Sequence, residues 1–350
     1  MLITVVDDSR LASDVRSLLG EAETVQIVPV GSRFQPLHEG RAIWLLAIDL
    51  SRKAAVKDVI RTLGARRLNE KLIAIVPGHS WQERVQASTL GATQMISDTA
   101  IAQLLADPQV ADALVKLPEK AKRHPVKREA FTRQVLHLRA CFAGRPAHSA
   151  TDATARAVDT TVRAIQTVGL IPWVDAIGDF PDKTLTHTML VTAYAIGLGL
   201  SCGLTPEKLH KIGAGGLLHD IGKREIPTAL VDKLGPLTAT EYQIIQSHPA
   251  IGVRMLQGAG EPDDDVLNIV QHHHEMLDGS GYPHGLEEDA IPPLTRLVTV
   301  ADIYAALVEN RPGKPAHSAD KAYQHLQRLG DRLDRSLVAR FRSVALAQAA

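Results

Sequence analysis

Apolar positions in the first hundred residues fall into short β-branched runs separated by stretches with helical spacing. Residues 2–6 read as a strand, and Leu11, Val15, Leu18 and Leu19 follow at helical intervals. Val25–Val30 precedes a Gly-Ser turn, Ile43–Asp49 reads as a fully buried strand, and Leu72–Val76 as another. A helical stretch separates the last two, and a further helix is expected from about Trp81 to Leu90. Strands alternating with helices predict an α/β domain around a parallel sheet. From Leu114 to about Ala150 the pattern weakens. Lys116–Arg128, basic and with two prolines, reads as an exposed connector, and Glu129–Phe142 as a helix with Phe131, Val135, Leu138 and Phe142 on one stripe.

Beyond Thr151 nearly everything has helical spacing. Thr205-Pro206 makes an N-cap and first turn for a helix ending at His219-Asp220. Thr238–Glu241 is a capping box that opens a helix leading to His248-Pro249. Asp263, Asp264 and Asp265 suit the positive end of the next helix, which runs into His272-His273-His274-Glu275. Pro292-Pro293 introduces a last apolar helix with Asp302 in its middle. The expected organisation is therefore multidomain: an α/β domain over 1–107, a helical and basic connector over 108–150, and an all-α bundle over 151–350.

Composition narrows the function without naming it. A formal net charge of +0 argues against broad electrostatic binding to DNA or an anionic membrane. Only two cysteines occur, Cys141 and Cys202, so a disulfide framework is not expected and a reducing cytoplasm fits. The start of the chain lacks the basic and long apolar segments of a signal peptide. Met189–Leu204 is too short for a membrane span, which needs about 20 apolar residues, and reads as a buried core helix.

The chemistry gathers around Leu217-Leu218-His219-Asp220-Ile221-Gly222-Lys223. A buried carboxylate needs a charged or hydrogen-bonding partner. A divalent metal suits both Asp220 and the adjacent imidazole, although a core histidine bonded to its neighbour would also satisfy the pair. What favours metal is repetition. Asp302, His248 and the 272–274 histidines stand on successive apolar helices, which points to a shared centre. More than four such groups imply at least two metals. Nitrogen and carboxylate ligands without cysteine suit Fe or Mn, with Ni, Co and Zn as alternatives.

With those residues in view, residues 151–345 resemble the HD-GYP phosphodiesterases, bacterial hydrolases of cyclic di-GMP. The resemblance rests on Thr184–His187, His219–Lys223, His248-Pro249, His273–Pro283, Ala301-Asp302 and Arg311-Pro312 in that order. It implies that His187, His219, Asp220 and Asp302 hold one metal, and that Asp220 bridges to a second held by His248, His273 and His274. His272 is an extra neighbour. By the same resemblance Lys223, with Asp220, serves catalysis, while Tyr282, Arg311 and Lys314 contact the dinucleotide. The implied reaction is attack on phosphorus by a metal-activated hydroxide, releasing linear pGpG. The chain departs from the family at Ala305, where an aspartate is common, at Gly313, where an aromatic is common, and at Lys183, where some members carry glutamate. Lysine has no lone pair for a third cation, so two metals are expected, with pGpG accumulating rather than passing on to GMP. Competing readings are a cyclic-dinucleotide sensor or protein-interaction module that has lost turnover, and an enzyme for another cyclic dinucleotide.

Residues 1–107 resemble a response-regulator receiver domain. Asp7 and Asp8 after the first strand, with Asp49 after the third, match its Mg²⁺-binding acids and phosphoacceptor. The match fails where Val76-Pro77-Gly78 replaces a hydroxyl residue and where Asp98 follows the fifth strand in place of lysine. A phosphoryl group on Asp49 would then lack a cationic partner, so a stable phosphoaspartate is not expected. Partner binding or homodimerisation is expected through this domain and the connector.

Overall fold

The computed structural model describes residues 2–6, 25–32, 42–48, 53–64, 66, 70–76, 81–96, 108–115, 117–143, 150–231, 233, 235–258, 263–310 and 315–346. These divide into two compact units, 1–117 with 122–136 and 118–121 with 137–350.

In the first unit, β1 (Leu2–Val6), β2 (Val25–Pro29), β3 (Ile43–Ala47), β4 (Lys71–Ile75) and β5 (Gln94–Ile96) form one parallel sheet. Their spatial order is β2-β1-β3-β4-β5, the doubly wound order of flavodoxin-like folds. The strands read as continuous apolar runs because a parallel sheet is covered on both faces; β1 is buried at every position. Helices α1 (Lys53–Leu63) and α2 (Trp81–Thr89) contribute Val59, Leu63 and Ala87 to a core with Trp44, Leu46 and Leu72. Glu70 is buried beside the sheet with its partners, accepting from the Ala42 amide at 3.0 Å and Trp44 Nε1 at 2.8 Å. The helix expected over 11–19 lies outside the described residues, as do Asp7, Asp8, Asp49, Pro77 and Asp98.

The basic stretch at 116–128 differs from expectation. It follows α3 (Pro108–Val115), contains α4 (Glu119–Lys122) and enters α5 (Pro125–Ala143), with Lys127 buried. Pro118 and Pro125 stand where proline is well tolerated, just before and at the first residue of a helix.

The second unit is helical: α6 (Ala150–Val168), α7 (Leu170–Gly178), α8 (Lys183–Ser201), α9 (Pro206–Leu218), α10 (Thr228–Val231), α11 (Ala239–Gln246), α12 (His248–Gly258), α13 (Asp264–His272), α14 (Pro293–Val308), α15 (Ala319–Arg328) and α16 (Arg335–Leu346). At its centre lies α8, buried without interruption from Leu185 to Gly199 and packed against α9 and α14. An apolar helix can be buried all round only if its polar side chains are satisfied locally. Thr186 and Thr192 do this by donating to the carbonyls of Asp182 and Thr188. Gly216 lets α9 approach α8 closely, since a Cβ there would lie 3.0 Å from Thr192 Cα. The caps expected at Thr205 and Thr238 both form, and Asp263, expected only to favour the helix dipole, caps the next helix. Among the described residues, no helix is long and apolar enough to cross a membrane.

Candidate metal centre

Five segments of the second unit deliver their chemistry to one buried point. His187 lies early in α8, and Asp302 in the middle of α14. His219 is the C-cap of α9, followed by Asp220 and a 3₁₀ turn, Ile221–Glu225, that carries Lys223. His248 is the first residue of α12, while His273 caps the end of α13 and is followed by His274. Each histidine other than His187 therefore sits at a helix boundary.

That placement fixes the proton on three of them. Carbonyls in the last turn of a helix have no intrahelical donor. His219 Nδ1 takes up Gly216 O at 2.8 Å, His248 Nδ1 takes Ile245 O at 2.7 Å, and His273 Nδ1 takes Val270 O at 3.0 Å. A carbonyl can only accept, so Nδ1 carries the hydrogen and Nε2 presents a lone pair inward.

The inward atoms form two groups, His187, His219 and Asp302, and Asp220, His248, His273 and His274, each with its ligand atoms within 4.8 Å of one another. Asp220 lies between them. Its Oδ2 is 3.3 Å from His219 Nε2 and 3.9 Å from His187 Nε2, while its Oδ1 is 3.2 Å from His248 Nε2 and 3.9 Å from His273 Nε2. Asp302 spans in a similar way, 3.0 Å from His187 Nε2 and 3.7 Å from His274 Nδ1. Lys223 Nζ reaches Asp220 Oδ2 at 2.6 Å.

These residues fit divalent cations on physical grounds. His219 Nε2 and Asp220 Oδ1 are buried and make no hydrogen bond among the described residues, a costly state that a cation would relieve. His248 Nε2 and His273 Nε2 sit 3.3 Å apart, two lone pairs turned to one place. The two carboxylates are held ionised, and His273 and His274 neutral. Burial alone would raise the pKa of Asp220, but the His219 ring and the Lys223 ammonium beside it hold it well below the usual range. Burial likewise opposes ionisation of Asp302, yet His187 and His274 keep it ionised. His273 is held far below the ordinary value by burial and by its histidine neighbours, and burial pushes His274 down to about 3. Against the desolvation that would lower it, the carboxylates of Asp302 and Glu309 raise the pKa of His187.

Other expected site residues fall as follows. Tyr282 lies on the 278–287 loop, its ring 4.7 Å from that of His274 and 6.3 Å from that of Tyr242. His272 turns away from the centre to His284, at 3.1 Å. Lys183 is exposed; of the carboxylates near it in sequence, Asp182 caps α8 by accepting from Leu185 N, and Asp179 pairs with Lys120 at 3.2 Å. Arg311 and Lys314 lie outside the described residues.

Two carboxylates were not singled out from the sequence. Glu275 is buried and accepts from the amides of His284 at 2.6 Å and Leu286 at 3.0 Å, which ties down the loop bearing Tyr282. Its signal was its place directly after the histidine run. Glu309, at the C-cap of α14, has Oε2 3.3 Å from His187 Nδ1. Nothing local marks it, because its partner is on another helix.

Comparison with known proteins concerns the same stretch of the chain. Residues 173–337 match the HD domain family. Over 145 residues, 41% of this chain, the sequence is 36% identical to the cyclic di-GMP phosphodiesterase PA4108 of Pseudomonas aeruginosa, covering 35% of that protein. It is 34% identical over 153 residues to a 3'3'-cGAMP-specific phosphodiesterase of Vibrio cholerae, covering 43% of this chain and 33% of that one. The chain thus spans about a third of the length of these relatives. In fold it resembles Bd1817, an HDGYP protein from Bdellovibrio bacteriovorus, with TM-score 0.54 and 20% identity over 76% of this chain and 81% of that one. The resemblance drawn from the motifs is borne out over this region.

Proposed function

We propose, taking as premise the HD domain of residues 173–337, that the chain hydrolyses a phosphodiester bond of a cyclic dinucleotide, with cyclic di-GMP the substrate and linear pGpG the product. The observation that carries the reading is Asp220, whose two oxygens face two different sets of imidazoles. A carboxylate so placed suits a bridge between two cations.

In this reading His187, His219, Asp220 and Asp302 hold one cation, and Asp220, His248, His273 and His274 the other, with Fe or Mn favoured by the nitrogen and oxygen donors. When bound, such a pair lowers the proton affinity of water and polarises a phosphoryl oxygen. The protein's own groups do the rest. Lys223, only partly exposed and 2.6 Å from Asp220, stands where it can offset charge developing on phosphate. Tyr282, with one face on His274, offers a ring edge and hydroxyl to the nucleotide. Glu275 keeps that loop in place through two backbone amides. Arg311 and Lys314 complete the proposed substrate contacts.

A second substrate, 3'3'-cGAMP, is favoured by the similarity to the Vibrio enzyme. The strand order of the first unit supports a receiver-like reading of 1–107, with Asp49 not phosphorylated for want of a lysine. The free Cys141 and Cys202 suit a reducing cytoplasm.

The test is incubation of Mn- or Fe-loaded protein with cyclic di-GMP, 3'3'-cGAMP and cyclic di-AMP, with products resolved over time. Accumulating pGpG is expected, with loss of at least about a hundredfold in Asp220→Asn. No turnover of any of the three by protein carrying its full complement of metal would favour the sensor reading instead.

A further inference from the structure

His219, His248 and His273 solve a problem that His187 cannot solve in the same way. Their Nδ1 protons go to carbonyls three residues earlier, all in the final turns of α9, α11 and α13. His187 lies within the 19-residue α8, where carbonyls are already engaged. The one three residues before it, on Thr184, also accepts the Thr188 hydroxyl at 3.2 Å. His187 is 5% exposed, so bulk solvent hardly reaches it. Its buried Nδ1 makes no hydrogen bond among the described residues, and the group it lies beside is Glu309 Oε2, at an ion-pair distance of 3.3 Å, on a side chain 1% exposed.

We propose that Glu309 is a positioning residue for the metal centre, whose carboxylate accepts the Nδ1–H of His187 and so selects the tautomer that leaves Nε2 open to a cation. The inference rests on the metal-binding part of the proposed function and not on the identity of the substrate. A neutral imidazole carries one N–H. Between Asp302 Oδ1, 3.0 Å from Nε2, and Glu309, 3.3 Å from Nδ1, that hydrogen has two places to go. On Nε2 it binds Asp302 and closes the ring to metal. On Nδ1 it binds Glu309, and Nε2 and Asp302 then both face the ion. A carboxylate behind a ligand histidine also raises the basicity of the nitrogen that binds metal. Glu309 thus does from a distant helix what the Gly216, Ile245 and Val270 carbonyls do locally.

The site can tolerate substitution. Glu309 borders a cavity of about 380 Å³ that Thr186, Leu190 and Tyr194 also line, so a shorter side chain leaves room for water instead of a collapsed core.

The experiment is a chelator-competition titration of Mn²⁺ into the full-length parent, Glu309→Ala and Glu309→Gln, without nucleotide. Co²⁺ absorption spectra are recorded alongside, and thermal midpoints of the metal-free proteins are measured. Glu309→Ala should weaken the tighter step by about 10–100-fold and alter the Co²⁺ spectrum. Glu309→Gln, whose amide oxygen still accepts, should recover most of the affinity. Parent-like affinity and spectrum in Glu309→Ala would overturn the proposal, as would a lowered metal-free midpoint with unchanged affinity, which marks a purely structural ion pair. A parent that binds no cation would overturn the metal-centre reading as well. A parent that binds cations yet cuts no cyclic dinucleotide would leave the substrate at fault and Glu309 still judged by its affinities.

Discussion

His137 shows at the scale of one residue how burial sets chemistry away from the centre. It is buried, 3.1 Å from Thr154 Oγ1, and burial pushes its pKa down to about 4. The folded state therefore binds this proton less readily than the unfolded chain, where the value is about 6.5. The contribution to stability is complete above about pH 6.5 and is lost as pH falls from there through about 4, reaching at most about 3 kcal/mol. Thermal midpoints between pH 7 and pH 4 should fall less steeply in His137→Gln than in the parent; parallel curves would remove His137 from the account. The same scale shows what the sequence made legible. His219, Asp220 and His248 announced themselves because each joins a polar ligand to an apolar helix with a boundary signal. Glu309 did not, since a carboxylate beside Asn310 and Arg311 reads as a solvated turn until α14 is laid against α8.

Elements explain how separate ligands keep their spacing. The 3₁₀ turn with Lys223 presses against the start of α12: a Cβ on Gly222 would strike the His248 carbonyl oxygen and lie 2.7 Å from Gly252 N. Both neighbours are backbone, so neither can swing aside. Gly222→Ala should push the turn and the helix apart, costing about 1–3 kcal/mol in stability and weakening cation binding at the His248 group. Gly178, where a Cβ meets nothing within 4 Å, supplies the control substitution. Calorimetry and metal titration of the two variants check this, and a parent-like Gly222→Ala would deny that the contact is tight. Caps and apolar periodicity made the second unit's helices readable, because both signals are local. Within 116–128 the burial of Lys127 was not legible, because a basic run does not announce the packing that covers it. The parallel order of the sheet followed from alternation of element types, whereas the placement of β1 between β2 and β3 is non-local.

On the scale of the molecule, the ligands span positions 187 to 302 and come from five segments of one unit. Ions held there would act as cross-links, tying together stretches that the unfolded chain leaves far apart. Anything that binds only the folded form stabilises it by mass action, about 2.7 kcal/mol at a hundred times its dissociation constant. The thermal midpoint should therefore drop on chelation and rise with the logarithm of free Mn²⁺; a midpoint indifferent to metal would mean that the ions do not hold the bundle together. Proteases in a cell act on the fraction of molecules that is open, and stability sets that fraction. A chain starved of its ion would be cleared sooner than one supplied with it. Through a centre assembled from five segments, the abundance of the protein, as well as its turnover, would follow the supply of metal.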